Sequence, residues 1–449
     1  MNPSAGLVTA LNKMRELSIA DGNAYHQFFP IVDSNTNIGE FGEPMFGDNY
    51  QAAQEAFFGM LKRIAYAATE TKLFNNPLAK LEGDNIPLGW AGEEIMVAPV
   101  KGRAFDVNDF AGILQKYEAD IKVQYLTVNM DVQYPVTLTR EKIRTAFTSW
   151  RDLEEFITGI INALYNGAYI NMYQFTKALV SAAYKDNKAQ IEVVSAVSNE
   201  ATGKALIKKL RELYTRFQLP SSEFNAWAKV GGEGRPITTW SAPEDIVLLL
   251  RADIVAAVDV DVLAAAFNMD KADFLGSLTV VDNFDVYADD GTKQFDGSAI
   301  YGILADKSFF KIKTQDMALD QWYNPNNRSW QYYLNVVKMY NYSLFANGVI
   351  IATAAPVVDV TKIEAEKSSV SVEEGSSVKL QLTTTPFTGN PTITASSSAE
   401  GKATASVSGK VLTINGVSDG SATITVTATN SDTTTTTATV TVTVTDAAS

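Results

Sequence analysis

The sequence predicts an α+β body followed by a small, separate all-β sandwich. Three observations carry this: period-two alternation of apolar and polar residues past residue 360, apolar residues spaced by three and four from residue 149 to 184, and unbroken apolar segments such as "EDIVLLLRADI". The first reads as half-buried strands, the second as one long helix, and the third as central strands covered on both faces.

In chain order, "EEIMVAPVKGRAF" reads as a strand region and "VQYLTVNMDVQYPVTLTREKI" as extended and hairpin-prone. Ser149 opens a helix, with Asp152 three residues later as a capping-box variant, and Phe156, Ile160, Ile161, Leu164, Tyr165, Ala168, Tyr169 and Met172 recur at helical spacing. A helix from residue 149 to 184 would run roughly 54 Å at 1.5 Å per residue, a beam rather than the packing helix of a compact enzyme. "KALIKKLRELYTRFQ" sets Leu206, Ile207, Leu210, Leu213, Tyr214 and Phe217 on one side, with Lys204, Lys208, Lys209 and Arg211 opposite, and stops at Pro220. "EDIVLLLRADI", "SLTVVDNF" and "AIYGILADKSFFKIKT" are candidate strands with helix between them, and "WQYYLNVVKMYNYSLFANGVIIAT" is apolar on both faces.

A boundary falls at "ATAAPVVDVTK", Ala352 to Lys362, where aromatic, mixed-charge sequence gives way to Thr, Ser and Val. Beyond it Val378, Leu380 and Leu382 share one face, as do Ala422, Ile424 and Val426, and Val440, Val442 and Val444. Gly375, Ser408-Gly409, Asn415-Gly416 and Asp419-Gly420 mark turns between them. About seven strands in about 90 residues make a β-sandwich, with Thr433 to Thr437 a loop entering the last strand.

At 449 residues the chain predicts two or three domains. Its net charge of -14 disfavours general, tight binding to nucleic acid, which needs clustered Lys and Arg. Past residue 356 five Lys stand against nine Asp and Glu, a net of -4, leaving -10 before it (32 minus 42). Both parts are acidic, so charge does not separate their roles. The absence of cysteine excludes disulfides, thiolate nucleophiles and cysteine-ligated metals together. No signal-peptide pattern opens the chain and no apolar run is long enough to span a bilayer, so a soluble protein not exported by a standard signal is expected.

Catalytic residue types are scarce. The only histidine is His26, in "NAYHQFF", so every histidine-based scheme must use it, and its aromatic neighbours favour a packed or interface role. No Walker A, dinucleotide or G-x-S-x-G pattern occurs, and "GGEGRP", Gly231 to Pro236, reads as a flexible turn. Two acids could serve a glycosidase, and Trp322, Tyr323, Trp330, Tyr332, Tyr333 and Tyr340 could stack on sugars; alternation in buried strands accounts for the same aromatics. The basic face from Lys204 to Arg216, broken by Glu212, is either a solvated face or a weak DNA contact.

"DVDVLAAAFNMDKADFLG" carries Asp259, Asp261, Asp270 and Asp273. An EF-hand loop starting at Asp259 would need acids where Leu263 stands and a glycine where Ala264 stands, so it fails. Capping is expected instead: Asp259 or Asp261 at the start of "VLAAAFNM" and Asp270 at the next turn, with Val262, Leu263, Phe267, Phe274 and Leu275 in the core and Gly276 leading into a strand. No catalytic, cofactor-binding or metal-ligating residue is assigned, and no cofactor is expected.

"VTKIEAEKSSVSVEEGSSVKLQLTTTP" followed by "GKVLTINGVSDGSATITVTA" resembles the bacterial Ig-like (group 2) module, with Ala395 where such modules often carry Trp. Earlier, "FNNPLAKLEGDNIPLG" with "EEI" after it, "TAFTSW" leading into "FITGIINALYN", "DVDVLAAAFNMDKADFLG" with "SLTVVDNF", and "WQYYLNVVKMYNYSLFANGV" resemble the major capsid proteins of tailed bacteriophages, most closely the head proteins of small, short-tailed phages. That resemblance implies the tailed-phage (Hong Kong 97-type) capsid fold, with an N-terminal arm region at 1–60 and a capsid body at 61–356. Within the body it implies an extended loop at about 89–140, a spine helix at about 149–184 and an axial domain at about 240–320; the Ig-like domain follows at 360–449.

It further implies a structural subunit, not an enzyme, that self-assembles as pentamers and hexamers into an icosahedral or prolate shell around the phage genome. The implied partners are other copies of the chain, a scaffolding protein, a portal protein, packaged DNA by weak contact, and host surface glycans through the Ig-like domain; no membrane is involved. The expected location is the virion, with the host cytoplasm during assembly. A carbohydrate-active enzyme with an Ig-like accessory module is the alternative, and a cell-surface adhesin, which should carry a signal peptide, ranks third.

Overall fold

The structure, a computed structural model, describes residues 3–68, 74–87, 89, 92–100, 102, 118–230, 237–258, 278–288 and 290–446. Through residue 352 the elements are α1 (Ala5–Asp21), α2 (Tyr50–Ala68), β1 (Gly92–Val97), β2 (Ile121–Leu126), β3 (Met130–Thr139), α3 (Arg140–Ala146), α4 (Trp150–Lys185), β4 (Gln190–Val193), α5 (Glu200–Phe217), β5 (Ile246–Arg251), α6 (Ala252–Ala257), β6 (Leu278–Val281), β7 (Val286–Tyr287), β8 (Lys293–Phe295), β9 (Ile300–Asp306), β10 (Phe310–Asn324), β11 (Ser329–Tyr342) and β12 (Gly348–Ala352), with short helical turns between some of them. The chain divides into two compact units.

Unit one is Met1–Gly92, Leu126–Thr176 and Lys311–Asn341. Helix α1 starts where the Ser4 hydroxyl accepts the Leu7 N–H at 3.2 Å and stops at Gly22, whose φ of 70° suits a residue without a side chain. Strands β10, β11 and β3 form one sheet, in which β11 and β3 run antiparallel from Ser329 opposite Thr139 to Lys338 opposite Met130. Where the resemblance implies an N-terminal arm, the structure has helices whose Leu7, Leu11, Met14, Phe57 and Phe58 are buried in this unit.

Aromatic packing explains that burial. Phe29 stacks on Tyr25 with ring centres 4.6 Å apart, Phe41 lies 5.3 Å from Trp150, and Phe58 lies 5.5 Å from Trp330 and 5.7 Å from Tyr332. The polar edges of the indoles are satisfied: Trp330 Nε1 donates to Gln54 Oε1 at 2.9 Å and Trp150 Nε1 to the Thr36 carbonyl at 3.0 Å.

Unit two is Glu93–Tyr125, Lys177–Phe310 and Tyr342–Ser449. Its five-stranded sheet has the order β4-β12-β9-β5-β6, with parallel pairs at both edges and antiparallel pairs between. Strands β5, β9 and β12 are buried almost throughout, as their unbroken apolar sequences require. Helix α5, opened by an Asn199–Thr202 capping box, buries Leu206, Leu210, Leu213 and Phe217 with Leu248, Leu250, Leu304, Val349 and Ile351 of the sheet.

Gly302 of β9 is required by close approach, since a Cβ there would lie 2.1 Å from the Leu249 carbonyl oxygen. The last turns of α4 are tied down by polar contacts. Lys177 Nζ donates to Asp282 Oδ1 at 2.7 Å, Ser181 Oγ to the Phe284 carbonyl at 2.6 Å, and the Tyr184 hydroxyl to the Ala354 carbonyl at 2.8 Å.

The C-terminal module belongs to unit two and has eight strands where about seven are expected: β13 (Lys362–Ala365), β14 (Ser369–Glu373), β15 (Ser377–Thr385), β16 (Thr392–Ser397), β17 (Ala403–Ser408), β18 (Val411–Gly416), β19 (Gly420–Thr429) and β20 (Thr435–Thr445). They form two sheets, β13-β15-β18-β17 and β14-β20-β19-β16. The extra strand arises because the first segment changes sheets: Lys362–Ala365 pairs antiparallel with β15, and Ser369–Glu373 pairs parallel with β20. The core is Leu380, Leu382, Leu412, Ile414, Ile424, Val426, Val440, Val442 and Val444 with their neighbours, all inside the module. The Thr433–Thr437 run is less of a loop than expected: Thr433 takes a φ of 68° in the turn and Thr435 already begins β20.

Candidate functional site

His26, Trp330, Tyr332 and Tyr340 pack or hydrogen-bond within unit one, and others of the candidate groups lie outside the described residues. His26 sits at a helix turn with Nδ1 3.0 Å from the Asn23 carbonyl and 3.3 Å from Ser18 Oγ, and its own N–H donates to Ser18 Oγ at 3.2 Å. Trp330, Tyr332 and Tyr340 are core residues, whereas Trp322 is exposed. Asp259, Asp261, Asp270 and Asp273, with the expected core residues Val262, Leu263, Phe267, Phe274, Leu275 and the turn at Gly276, lie outside the described residues, as does Gly231 to Pro236. Among the described residues no group of three His, Asp or Glu could hold a metal ion.

On the basic face of α5, Lys204 pairs with Glu200 at 2.5 Å, Lys209 with Glu192 at 3.1 Å, and Arg216 with Glu212 and Glu223. These pairs fix little energy, and they answer three of the charges locally, whereas Lys208 and Arg211 are exposed on the same helix.

The unusual surface is the ribbon of β1 and β2. In a half-covered ribbon the apolar side ordinarily faces the protein; here the covered side is largely polar, with Glu94, Lys122 and Gln124 beside Met96 and the buried Leu126. Glu94 Oε1 accepts from Ser343 Oγ at 2.9 Å, Gln124 Nε2 donates to the Tyr342 carbonyl at 2.8 Å, and Gln124 Oε1 accepts the Leu344 N–H at 2.8 Å. Lys122 Nζ pairs with Asp120 at 2.9 Å and lies 5.9 Å from the centre of the Trp227 ring.

Alternation then turns the other side chains outward: Ile95 is 60% exposed, Ile121 56% and Tyr125 73%, with Val97 and Val123 beside them. A row of branched and aromatic side chains held into solvent is the kind of surface feature that marks interaction sites. Sequence reading finds both strands but assigns no residue of this face, because alternation shows which residues share a side and not which side is covered.

A second feature positions the sheet of unit one. Lys338 of β11 is 1% exposed and its Nζ donates to Glu82 Oε2 at 2.6 Å, close to Met172 Sδ of α4 at 3.6 Å and 5.8 Å from the centre of the Tyr340 ring. Glu82 itself bridges to Ile312 of β10. One ion pair thus joins strand, helix and the segment after Phe74.

Comparison with known proteins places these observations. Residues 17–352 match the model of the Phi29-like phage major capsid protein, and residues 359–442 that of the bacterial Ig-like domain (group 2). The chain is 28% identical over 377 residues to the major capsid protein of Bacillus phage PZA, covering 83% of this chain and 79% of that one. It is 27% identical over 353 residues to the major capsid protein of Streptococcus phage Cp-1, covering 76% and 92%. Among solved structures, the capsid structure of Staphylococcus phage Andhra aligns at a TM-score of 0.52 and 15% identity, covering 63% of this chain and 85% of that one.

Proposed function

The chain belongs to the Phi29-like phage major capsid protein family, and on that footing we propose that it is the repeating subunit of a phage head, assembling as pentamers and hexamers into an icosahedral or prolate shell around the genome. The observation that carries this reading is the family match over residues 17–352, and the β1–β2 ribbon, whose Ile95, Ile121 and Tyr125 face outward, supports it as a surface for contact between copies. In this proposal the ribbon's exposed apolar side is covered by a second copy of the chain.

In this proposal residues from about 89 to 140 hold the extended loop, α4 is the spine helix, residues from about 240 to 320 form the axial domain, and the module at 360–449 decorates the outer surface. The role is structural, with no catalysis. A scaffolding protein directs assembly in the host cytoplasm, a portal protein occupies one vertex, and contact with packaged DNA is weak, in keeping with the net charge of -14. The module's contact with host glycans belongs to the same proposal.

The test is electron microscopy of the expressed protein with and without a scaffolding partner. Closed shells are expected; a protein that stays monomeric under every assembly condition and hydrolyses a glycan would overturn the reading. Removing residues 360–449 should leave shell formation intact, because the module's core draws on no residue outside it. Truncated subunits that fold but do not assemble would refute that independence.

A further inference from the structure

Within unit two, the turn after α4 and the short helix Trp227–Val230 border the module across a cleft of about 400 Å³. Asn187, at a φ of 52°, donates through Nδ2 to the Thr388 carbonyl of the module at 3.0 Å. Its Oδ1 accepts from Lys229 Nζ at 3.0 Å, and the same ammonium donates to the Ala189 carbonyl at 2.7 Å. On the module's side Lys410 Nζ donates to Thr384 Oγ1 at 2.7 Å and to the Phe387 carbonyl, and lies 5.0 Å from the centre of the Phe387 ring.

Both lysines line the cleft, and both are held by neutral oxygens. Among the described residues no carboxylate stands within ion-pair distance of either. An ammonium has three N–H donors, so each keeps one beyond the two it uses. Burial pushes the Lys229 ammonium down to about 8 and lowers Lys410 as well, which is the mark of positive charge drawn out of water without a counter-charge.

We propose that this cleft binds one small oxyanion of the phosphate class, bridging Lys229 of the body and Lys410 of the Ig-like module. A dianion answers both charges at once, whereas a single carboxylate answers one. The cleft is large enough for such an ion, given that a water molecule occupies about 30 Å³ of liquid. Its effect is to fasten the module, otherwise held at this point by the Asn187–Thr388 hydrogen bond. The inference does not depend on shell assembly.

The experiment is calorimetric titration of the unassembled full chain in chloride buffer at pH 7 with inorganic phosphate, beside acetate at matched ionic strength. Saturable one-to-one phosphate binding is expected, at least about tenfold tighter than acetate, and weakened about tenfold by Lys229→Gln or Lys410→Gln, the loss expected for one charge-assisted hydrogen bond. Lys379→Gln, on the exposed side of β15, should leave it unchanged. A readout without variants is lysine acetylation followed by mass spectrometry on the wild-type chain, in which phosphate should protect Lys229 and Lys410 but not Lys379. Absence of saturable phosphate binding, equal binding of acetate, equal binding by folded Gln variants, or lack of protection would each overturn the proposal.

Discussion

Ile121→Asp with Tyr125→Asp should abolish shell formation while leaving the isolated subunit folded and about as stable as the wild type. Both side chains point away from the chain that carries them, Ile121 at 56% and Tyr125 at 73% exposed, so neither supports the subunit's own core. Surface changes of this kind usually alter stability by less than about 0.5 kcal/mol. In a shell the same side chains are to be covered by a neighbour. Burying an Ile or aromatic side chain is worth about 1.5–3 kcal/mol, and a desolvated, unpaired carboxylate costs more than the lost gain.

Two such changes per subunit weaken each contact by at least about a thousandfold, at 1.4 kcal/mol per factor of ten. Every subunit carries them, so closure fails rather than slows. Sedimentation and electron microscopy read the shells, and circular dichroism reads the subunit's fold. Wild-type yields of closed particles from the double variant would show that this face is not an interface. Tyr125→Ser alone gives a milder probe, expected to lower the yield without touching the melt.

What the sequence makes legible here follows from range. Helix α4 is readable because helical apolar spacing persists from Phe156 to Met172, and β5, β9 and β12 because uninterrupted apolar runs have nowhere to go but between layers. The module's strands are readable because alternation and turn residues are both local, although the sheet change between β13 and β14 is not, since it depends on which distant strand each half pairs with. The outward face of the ribbon is hidden for the same reason. Gln124 and Glu94 look like the solvent side of a strand until Tyr342, Ser343 and Leu344, more than 200 residues away in sequence, supply their partners. Likewise, the aromatic core around Phe41 and Phe58 gathers Phe147, Trp150, Trp330 and Tyr332 from distant segments, and no window of the sequence contains it.

Glu82→Ala should destabilise the subunit by about 3 kcal/mol, because it strips the counter-charge from a lysine that cannot reach water in place. Lys338 is 1% exposed and Glu82 23%, so most of the penalty falls on the ammonium, and the partial exposure of the carboxylate sets the effect at the low end for a broken buried pair. Lys338→Met removes the charge together with its need for a partner, and an unbranched apolar side chain suits a place where the ammonium now lies beside Met172 and Tyr340. That variant should lose less than Glu82→Ala, and adding Lys338→Met to Glu82→Ala should recover most of the loss. At about 2–4 °C per kcal/mol for a domain of this size, the single carboxylate change lowers the melting temperature by roughly 6–12 °C, while the double variant stays within a few degrees of the wild type. The order of the three melts is what distinguishes an unanswered charge from lost packing: packing alone would make the double variant the worst. The double variant should also still form shells, because the pair lies within unit one and its lysine is 1% exposed.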